Sequence, residues 1–520
     1  MRPQLSGIRR AGAASGAGWL AWIGPRAVRL DERALDMIPG LLAWGALALV
    51  VLGAYMAPML AVLSAALLAC YSAVRFVLAA VANARGLRLI RQWEAIDWGA
   101  EYERRRGPGS LALDAVHHVV IIPNYGEPPH VLRRTLDHLA QQARAAESMT
   151  VVLAMEAREG DGAAKGARLQ SEYEGRFARV LVAVHPKALS GEAQCKSANQ
   201  AWALRWTERV LTGDLGYQPD HLLVTSMDAD TIWHRDTFAA LTVLFATDSQ
   251  RSTTFWQAPI RYHANVWATN PLLRIVHAYS SAWELAYLAA PWWRALPMSS
   301  YSMSLRLIAE AGYWDPDVIA DEWHMFIKTF FQRAGDIRLQ PVFLPFYASA
   351  TGGETLWQAV KARYLQTLRH AWGAKEIGYA LSEMARHPQT PARGGLGLVV
   401  RVAHDNLLSG VGWVIMVLGA QVPMLFHPDV IQRNLASAPF ILLQGSLAVI
   451  TVLTVLIWAL DLRLRPARPA PWTKRECLYE LASVPLLTVM SMVCLALPVI
   501  HAQTRLMLGL PLRFRVTPKT

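Results

Sequence analysis

Cysteine is scarce, with four in 520 residues, at positions 70, 195, 477 and 494. They stand far apart and lack the paired spacing of a zinc framework, and three of them lie in or beside apolar stretches. They therefore read as reduced, structural thiols. Charge is sparse too. Asp, Glu, Lys and Arg make up 17% of the chain against 53% apolar residues, where soluble domains carry roughly 25% charge. That balance excludes a disordered chain, a collagen and a disulfide-stapled miniprotein. No histidines have the HExxH spacing of a zinc hydrolase. No internal repeat and no recognisable nucleic-acid module accompany the net charge of +12, so nucleic acid is not the expected partner.

What is present is apolar mass in two blocks. Between Asp36 and Arg75 there is no charged side chain, which is room for two spans of about 20 residues. Pro58 divides this block into 37–57 and 59–82. Arg9, Arg10, Arg26 and Arg29 precede it, and Arg85, Arg88 and Arg91 follow. Basic flanks of this kind place both ends of the hairpin in the cytoplasm and favour contact with membrane lipid. Three more apolar stretches, 406–426, 438–460 and 481–502, lie near the end. The loop with Arg463, Arg465, Arg468, Lys474 and Arg475 is expected inside, and the one around His427–Arg433 outside. Five spans would leave the basic tail (Arg505, Arg513, Arg515, Lys519) outside. Either the last stretch, kinked at Pro485 or Pro498, re-enters without crossing, or the charge rule fails here. The chain thus divides into a basic segment 1–36, a membrane hairpin 37–82, a cytosol-facing domain 83–395, membrane helices 396–504 and a basic tail 505–520. The expected location is the inner cell membrane, with several passes.

The middle domain alternates short β-rich runs with helical patterns. Val119–Ile122, Val151–Leu153, Val180–Val184 and His221–Thr225 read as strands. Val131, Leu132, Leu136, Leu139 and Ala140 have helical spacing, as do Ala198, Ala201, Ala203, Leu204 and Trp206. Buried strands alternating with helices predict an α/β fold with a mostly parallel sheet. In such sheets the ligand site lies at the carboxyl ends of the strands, and polar residues are found there: Asn124 to Glu127, Glu156, Asp228 and Asp230.

Three motifs carry chemistry. Asp228-Ala229-Asp230 is a pair of hard-oxygen donors suited to Mg²⁺ or Mn²⁺ shared with substrate phosphates; the plainer reading is a turn cap. Asp321-Glu322 opens an apolar helical run and offers a general base or a simple helix cap. Gln366, Arg369 and His370 fall at i, i+3 and i+4, so one helix face presents them to a diphosphate and a sugar or to anionic lipid. Lys196 can reach a phosphate or be solvated, and Glu127 and Glu156 can hold a base or ribose or be exposed acids. Met298 to Ser302 is a polar loop that either lines an acceptor pocket or links elements. Trp283, Trp292 and Trp293 either stack on sugars or sit at a membrane interface.

The ordered set Pro123-Asn124-Tyr125-Gly126-Glu127, Glu156, Lys196 with Asn199, Asp228-Ala229-Asp230, Asp321-Glu322 and Gln366-x-x-Arg369-His370 resembles the membrane-anchored family 2 inverting glycosyltransferases, the cellulose and hyaluronan synthase group. The resemblance covers about 115–375, and the segment 514–519 is similar to a cytosolic tail of cellulose synthases. That favours a cytoplasmic C-terminus and a last stretch that does not span. It implies a GT-A (Rossmann-like) fold, a nucleotide-diphosphate sugar donor, usually UDP-linked, a glycan or lipid-linked acceptor and a divalent metal. Asp230 would be the main metal carboxylate and Asp228 would hold metal and donor. Glu127, Glu156 and Lys196 would contact the nucleotide, Gln366 and Arg369 with His370 would close over the diphosphate, and Glu322, then Asp321, would be the base. Two departures matter. The acidic pair is reversed relative to the family's Glu-Asp, and His370 replaces the tryptophan on which a growing chain end stacks, which speaks against processive synthesis. The alternatives are a single transfer onto a lipid or polyprenyl phosphate, or a nucleotide-sugar-sensing membrane scaffold or transporter.

Overall fold

The computed structural model describes residues 31–511. The basic segment ahead of Asp31, and the tail with Arg513, Arg515, Lys519 and the 514–519 likeness, lie outside the described residues. Nine strands are present among them: β1 (His117–Pro123), β2 (Met149–Glu156), β3 (Arg179–His185), β4 (Leu222–Ser226), β5 (Thr254–Gln257), β6 (Ile260–Arg261), β7 (Tyr301–Ser304), β8 (Arg338–Pro341) and β9 (Phe346–Tyr347). Seven form one sheet in the order β3-β2-β1-β4-β7-β5-β8, and β6 pairs with β9 beside it. β1 to β4 run parallel, while β7 lies antiparallel to both β4 and β5.

The β-branched run at β1 is buried on both faces, as parallel strands require. Val120, Ile122, Val151 and Leu153 face one core with the Pro129–Leu139 and Thr237–Thr247 helices. Val119, Ile121, Val152 and Val224 face the other, against Ala201, Leu204, Phe326 and Phe330. Each fully buried side chain of this size contributes about 1.5–3 kcal/mol. The register sets Ile121 opposite Val152 and Ser226. The carboxyl ends of β1, β2 and β4 therefore finish side by side.

Among the described residues, four helices are long and apolar enough to cross a membrane: Glu32–Met56, Pro58–Glu94, Ala438–Leu464 and Lys474–Leu508. The stretch 406–426, read from sequence as one span, is instead a broken helix. Ala392–Leu407 leads into a π turn at 408–412, Trp413–Leu418 follows, and the axis breaks before Gln421–Phe426. The last helix has its π turn at 492–496, just ahead of Pro498, whose missing N–H cannot continue the regular ladder.

Contacts define two ends of this helical bundle. At one end the His427 ring meets the Tyr55 carbonyl at 2.6 Å. At the other, Lys375 lies 3.9 Å from Asp36, and Arg33 donates to the Leu506 carbonyl at 2.6 Å. The last helix begins beside the α/β domain, where Glu480 pairs with Arg274 at 3.1 Å. Its middle packs on Leu273, Val276 and Ala359, and Val499 and Ala502 pack on Leu368 and Ala371. The Pro271–Ala289 helix joins bundle to domain. A side chain at Gly86 would come within 2.7 Å of Leu285, so glycine there permits the close approach.

Candidate active site

The strand ends supply one wall of the site. After β1 the chain turns through Gly126 at φ +78°, and Glu127 accepts the Tyr125 backbone N–H at 2.7 Å. After β2, Glu156 accepts from Arg158 at 2.8 Å, and that guanidinium lies 3.8 Å from the Tyr125 ring centroid. After β4, Asp230 is 3% exposed and accepts the Ser349 backbone N–H at 3.1 Å. Asp228 meets Lys196 Nζ at 3.0 Å and accepts the Ser299 hydroxyl at 2.9 Å. Ser299 holds φ at 56°, a left-handed conformation that non-glycine residues keep where surroundings demand it. Its carbonyl accepts Lys196 Nζ at 3.1 Å.

Lys196 opens the Lys196–Glu208 helix and also lies 3.5 Å from Glu322 Oε1. One ammonium thus joins Asp228, just beyond β4, to Glu322. Asp321 and Glu322 occupy the first turn of the Asp321–Gln332 helix, whose N-cap is Ala320, so neither serves as the N-cap. Asp321 accepts from Gln200 Nε2 at 2.6 Å, and Gln200 Oε1 accepts the Ser226 hydroxyl at 2.8 Å. The opposite wall is the Leu356–His370 helix, begun by a capping box of Thr355 and Gln358. Gln366, Arg369 and His370 project from it. A single cavity of about 360 Å³ is lined by Glu127, Glu156, Lys196, Asp228, Asp230, Asp321, Glu322, Gln366, Arg369 and His370. All the residues singled out from sequence as catalytic, donor-binding or metal-binding therefore meet.

Electrostatics divide their roles. Burial alone would lower Lys196, but Asp228, Asp321 and Glu322 outweigh it and hold the ammonium well above its usual range. Burial, then the adjacent Asp321 carboxylate, pushes Glu322 up to about 7. His370 lines the same cavity. Desolvation in the cavity, reinforced by Arg369 and Arg363, lowers its pKa, although the side chain keeps an exposed surface.

Several side chains at the site carried no sequence signal. Gln200 and Arg158 orient the acids. Tyr262, Glu284 and Ser349 line the cavity from other segments. His324, two residues after Glu322, is held between Glu376 at 3.0 Å and Asp315 at 2.8 Å and stacks on Tyr379 at 4.0 Å. Burial works against its charge, yet Glu376 and Asp315 raise it to about 10. Its place two residues beyond a candidate base was the one clue available.

Among the described residues no group of three or more His, Cys, Asp or Glu is arranged to hold a metal. Two oxygen-only carboxylates on one cavity wall fit a hard divalent ion that takes its remaining ligands from a diphosphate.

No family model matches the chain, and no curated protein matches its sequence. Among solved structures it is similar to a mannosyltransferase from Pyrobaculum calidifontis in complex with GDP-Man and Mn²⁺ (TM-score 0.40, 17% identity, covering 83% of this chain and 97% of that one). It is also similar to S. aureus TarS 1–349 (TM-score 0.30, 10% identity, 72% and 90%) and to GalNAc-T7 with UDP, GalNAc and Mn²⁺ (TM-score 0.29, 11% identity, 56% and 55%). Likeness at these scores carries no argument by itself.

Proposed function

We propose that this chain is a membrane-bound, inverting glycosyltransferase of GT-A type that uses a nucleotide-diphosphate sugar and a hydroxyl acceptor. The observation that carries the reading is the Lys196 ammonium between Asp228 and Glu322 in one cavity. A base, a cation and a carboxylate pair stand around the same space, as displacement of a diphosphate requires.

Glu322 takes the proton of the acceptor hydroxyl, and that oxygen forms the new bond to the anomeric carbon. The bond from that carbon to the diphosphate oxygen breaks, the diphosphate keeps the electron pair, and the configuration inverts. Lys196 and Arg369 meet the departing negative charge. Glu127 and Glu156 accept hydrogen bonds from the nucleoside, and Gln366 and His370 hold donor hydroxyls or phosphate oxygens. Mg²⁺ or Mn²⁺ held by Asp228 and Asp230 would supply further charge neutralisation at the diphosphate. With His370 in place of a stacking indole, the product is a single addition or a short glycan. The bundle end carrying Asp36 and Leu506 faces the cytosol, where activated sugars are made. The role is in cell-envelope glycan or polysaccharide synthesis.

The test is incubation of the purified full chain with UDP- and GDP-sugars and either metal, measuring nucleotide release. Release that depends on one sugar nucleotide supports the reading. Binding of a sugar nucleotide without consumption would favour a sensing scaffold instead.

A further inference from the structure

Behind the donor cavity a second space of about 350 Å³ opens among the helices, walled by Phe76, Trp283, Trp413 and Leu487. The two spaces share Tyr262, Glu284, Met298, Trp323, His370 and Asn406, so they meet at a neck. Glu284 comes from the Pro271–Ala289 helix. Its Oε1 accepts the Tyr262 hydroxyl at a long 3.5 Å, and its Oε2 is sealed from solvent with no hydrogen-bond partner. Arg363, on the inner side, donates to Gln366 at 2.8 Å and to Ser280 at 3.3 Å, while its Nε has no partner. Buried polar atoms left without partners are costly. Glu284 lines both spaces and Arg363 the inner one, and an acceptor and a donor left in this state call for a ligand that supplies both missing hydrogen bonds.

Resting on the glycosyl-transfer reading, we infer that Glu284 and Arg363 form the acceptor-recognition site, and that the acceptor presents an uncharged, hydroxyl-rich head, a sugar or polyol, rather than a phosphate. Neighbouring hydroxyls both donate and accept, which matches Oε2 and Nε together. A phosphate head only accepts hydrogen bonds, so it would serve Arg363 Nε and leave an ionised Glu284 Oε2 unmet, whereas a hydroxyl meets both. A phosphate would also need no base, yet the cavity holds Glu322 at about 7. Burial pushes Glu284 itself up to about 8, which leaves it able to donate to a hydroxyl as well. The aromatic and aliphatic inner walls take the part of the acceptor behind its head.

The experiment uses the full chain in a detergent without sugar. A radiolabelled donor is drawn from UDP-glucose, UDP-N-acetylglucosamine and GDP-mannose, and n-octyl β-glucoside and farnesyl phosphate compete as acceptors. Label is expected on the glucoside. Glu284→Ala is expected to raise the glucoside KM about tenfold, and Glu284→Gln to recover most of it by keeping hydrogen-bonding atoms in place. Donor affinity measured on the same samples reports whether each variant is folded. Label on farnesyl phosphate, an unaltered glucoside KM in folded Glu284→Ala, or donor consumption with neither acceptor used overturns the inference while leaving glycosyl transfer standing. Failure of every sugar nucleotide to bind removes the reading beneath it.

Discussion

The strand-end wall of the cavity and the helical wall across from it are made in different ways. Glu127, Glu156, Asp228 and Asp230 leave the ends of parallel strands, and each has a close partner of its own: Tyr125 N–H, Arg158, Lys196 and Ser349 N–H. The helical side carries groups with unused capacity, Glu284 Oε2 at the cavity and Arg363 Nε in the space behind it, on helices that also pack against the bundle of long apolar helices. The first wall is set before any ligand arrives, and the second is completed by one. Substitutions in the first wall should therefore act on chemistry, and those in the second on recognition.

The largest effect belongs to the strand-end wall. Asp230→Asn should abolish nucleotide release, while its amide oxygen keeps the bond to the Ser349 N–H and thermal melting barely moves. Unchanged release would reduce this wall to a structural one. Next, Glu322→Gln should lower turnover by about 10²–10⁴-fold. Because Glu322 acts when ionised, the wild-type rate should rise with pH through about 7, and the variant should lack that limb. If the limb persists, the base is Asp321.

His324 joins the two walls, since it links the helix of Glu322 to Glu376 on the Lys375–Arg386 helix that follows Arg369 and His370. Its folded value of about 10 lies above the ordinary 6.5. The stability it confers is therefore complete below pH 6.5 and is lost as pH rises through about 10. His324→Gln should cost roughly 3–5 kcal/mol at neutral pH by leaving a buried carboxylate unpaired, and should flatten the alkaline decline seen in melting curves. An unchanged decline would assign it to another group. The smallest effect is expected at His370. His370→Gln keeps a hydrogen-bonding group at the cavity and should cost about 1 kcal/mol of transition-state stabilisation, read as kcat/KM; a loss like that of Glu322→Gln would mean the ring acts as a cation.

Much of the strand-end wall was legible in the sequence. Apolar runs such as Val119–Ile122 can be satisfied only as buried parallel strands, and polar residues at their ends then have one place to go. The β5, β7 and β8 strands were not legible, because Thr254–Gln257 and Tyr301–Ser304 are short and carry no periodicity until the sheet edge of β4 is there to pair with. Glu284 reads in the chain as one acid in an aromatic-rich helix, and only the helix's docking on Pro58–Glu94 turns it toward the cavity. The stretch 406–426 looked like a plain span because hydropathy does not register a π turn.

The sequence by itself determined where apolar surface must be buried, which strands alternate with helices, and which acids, amide, lysine, arginine and histidine stand at their ends. These follow from local spacing and from the short range of backbone hydrogen bonding. Only the tertiary structure decided that Lys196 bridges Asp228 and Glu322, that His324 is held between Asp315 and Glu376, and that Glu284 lines the cavity. Each of these depends on distances between segments remote in the chain, and on the desolvation that their packing imposes.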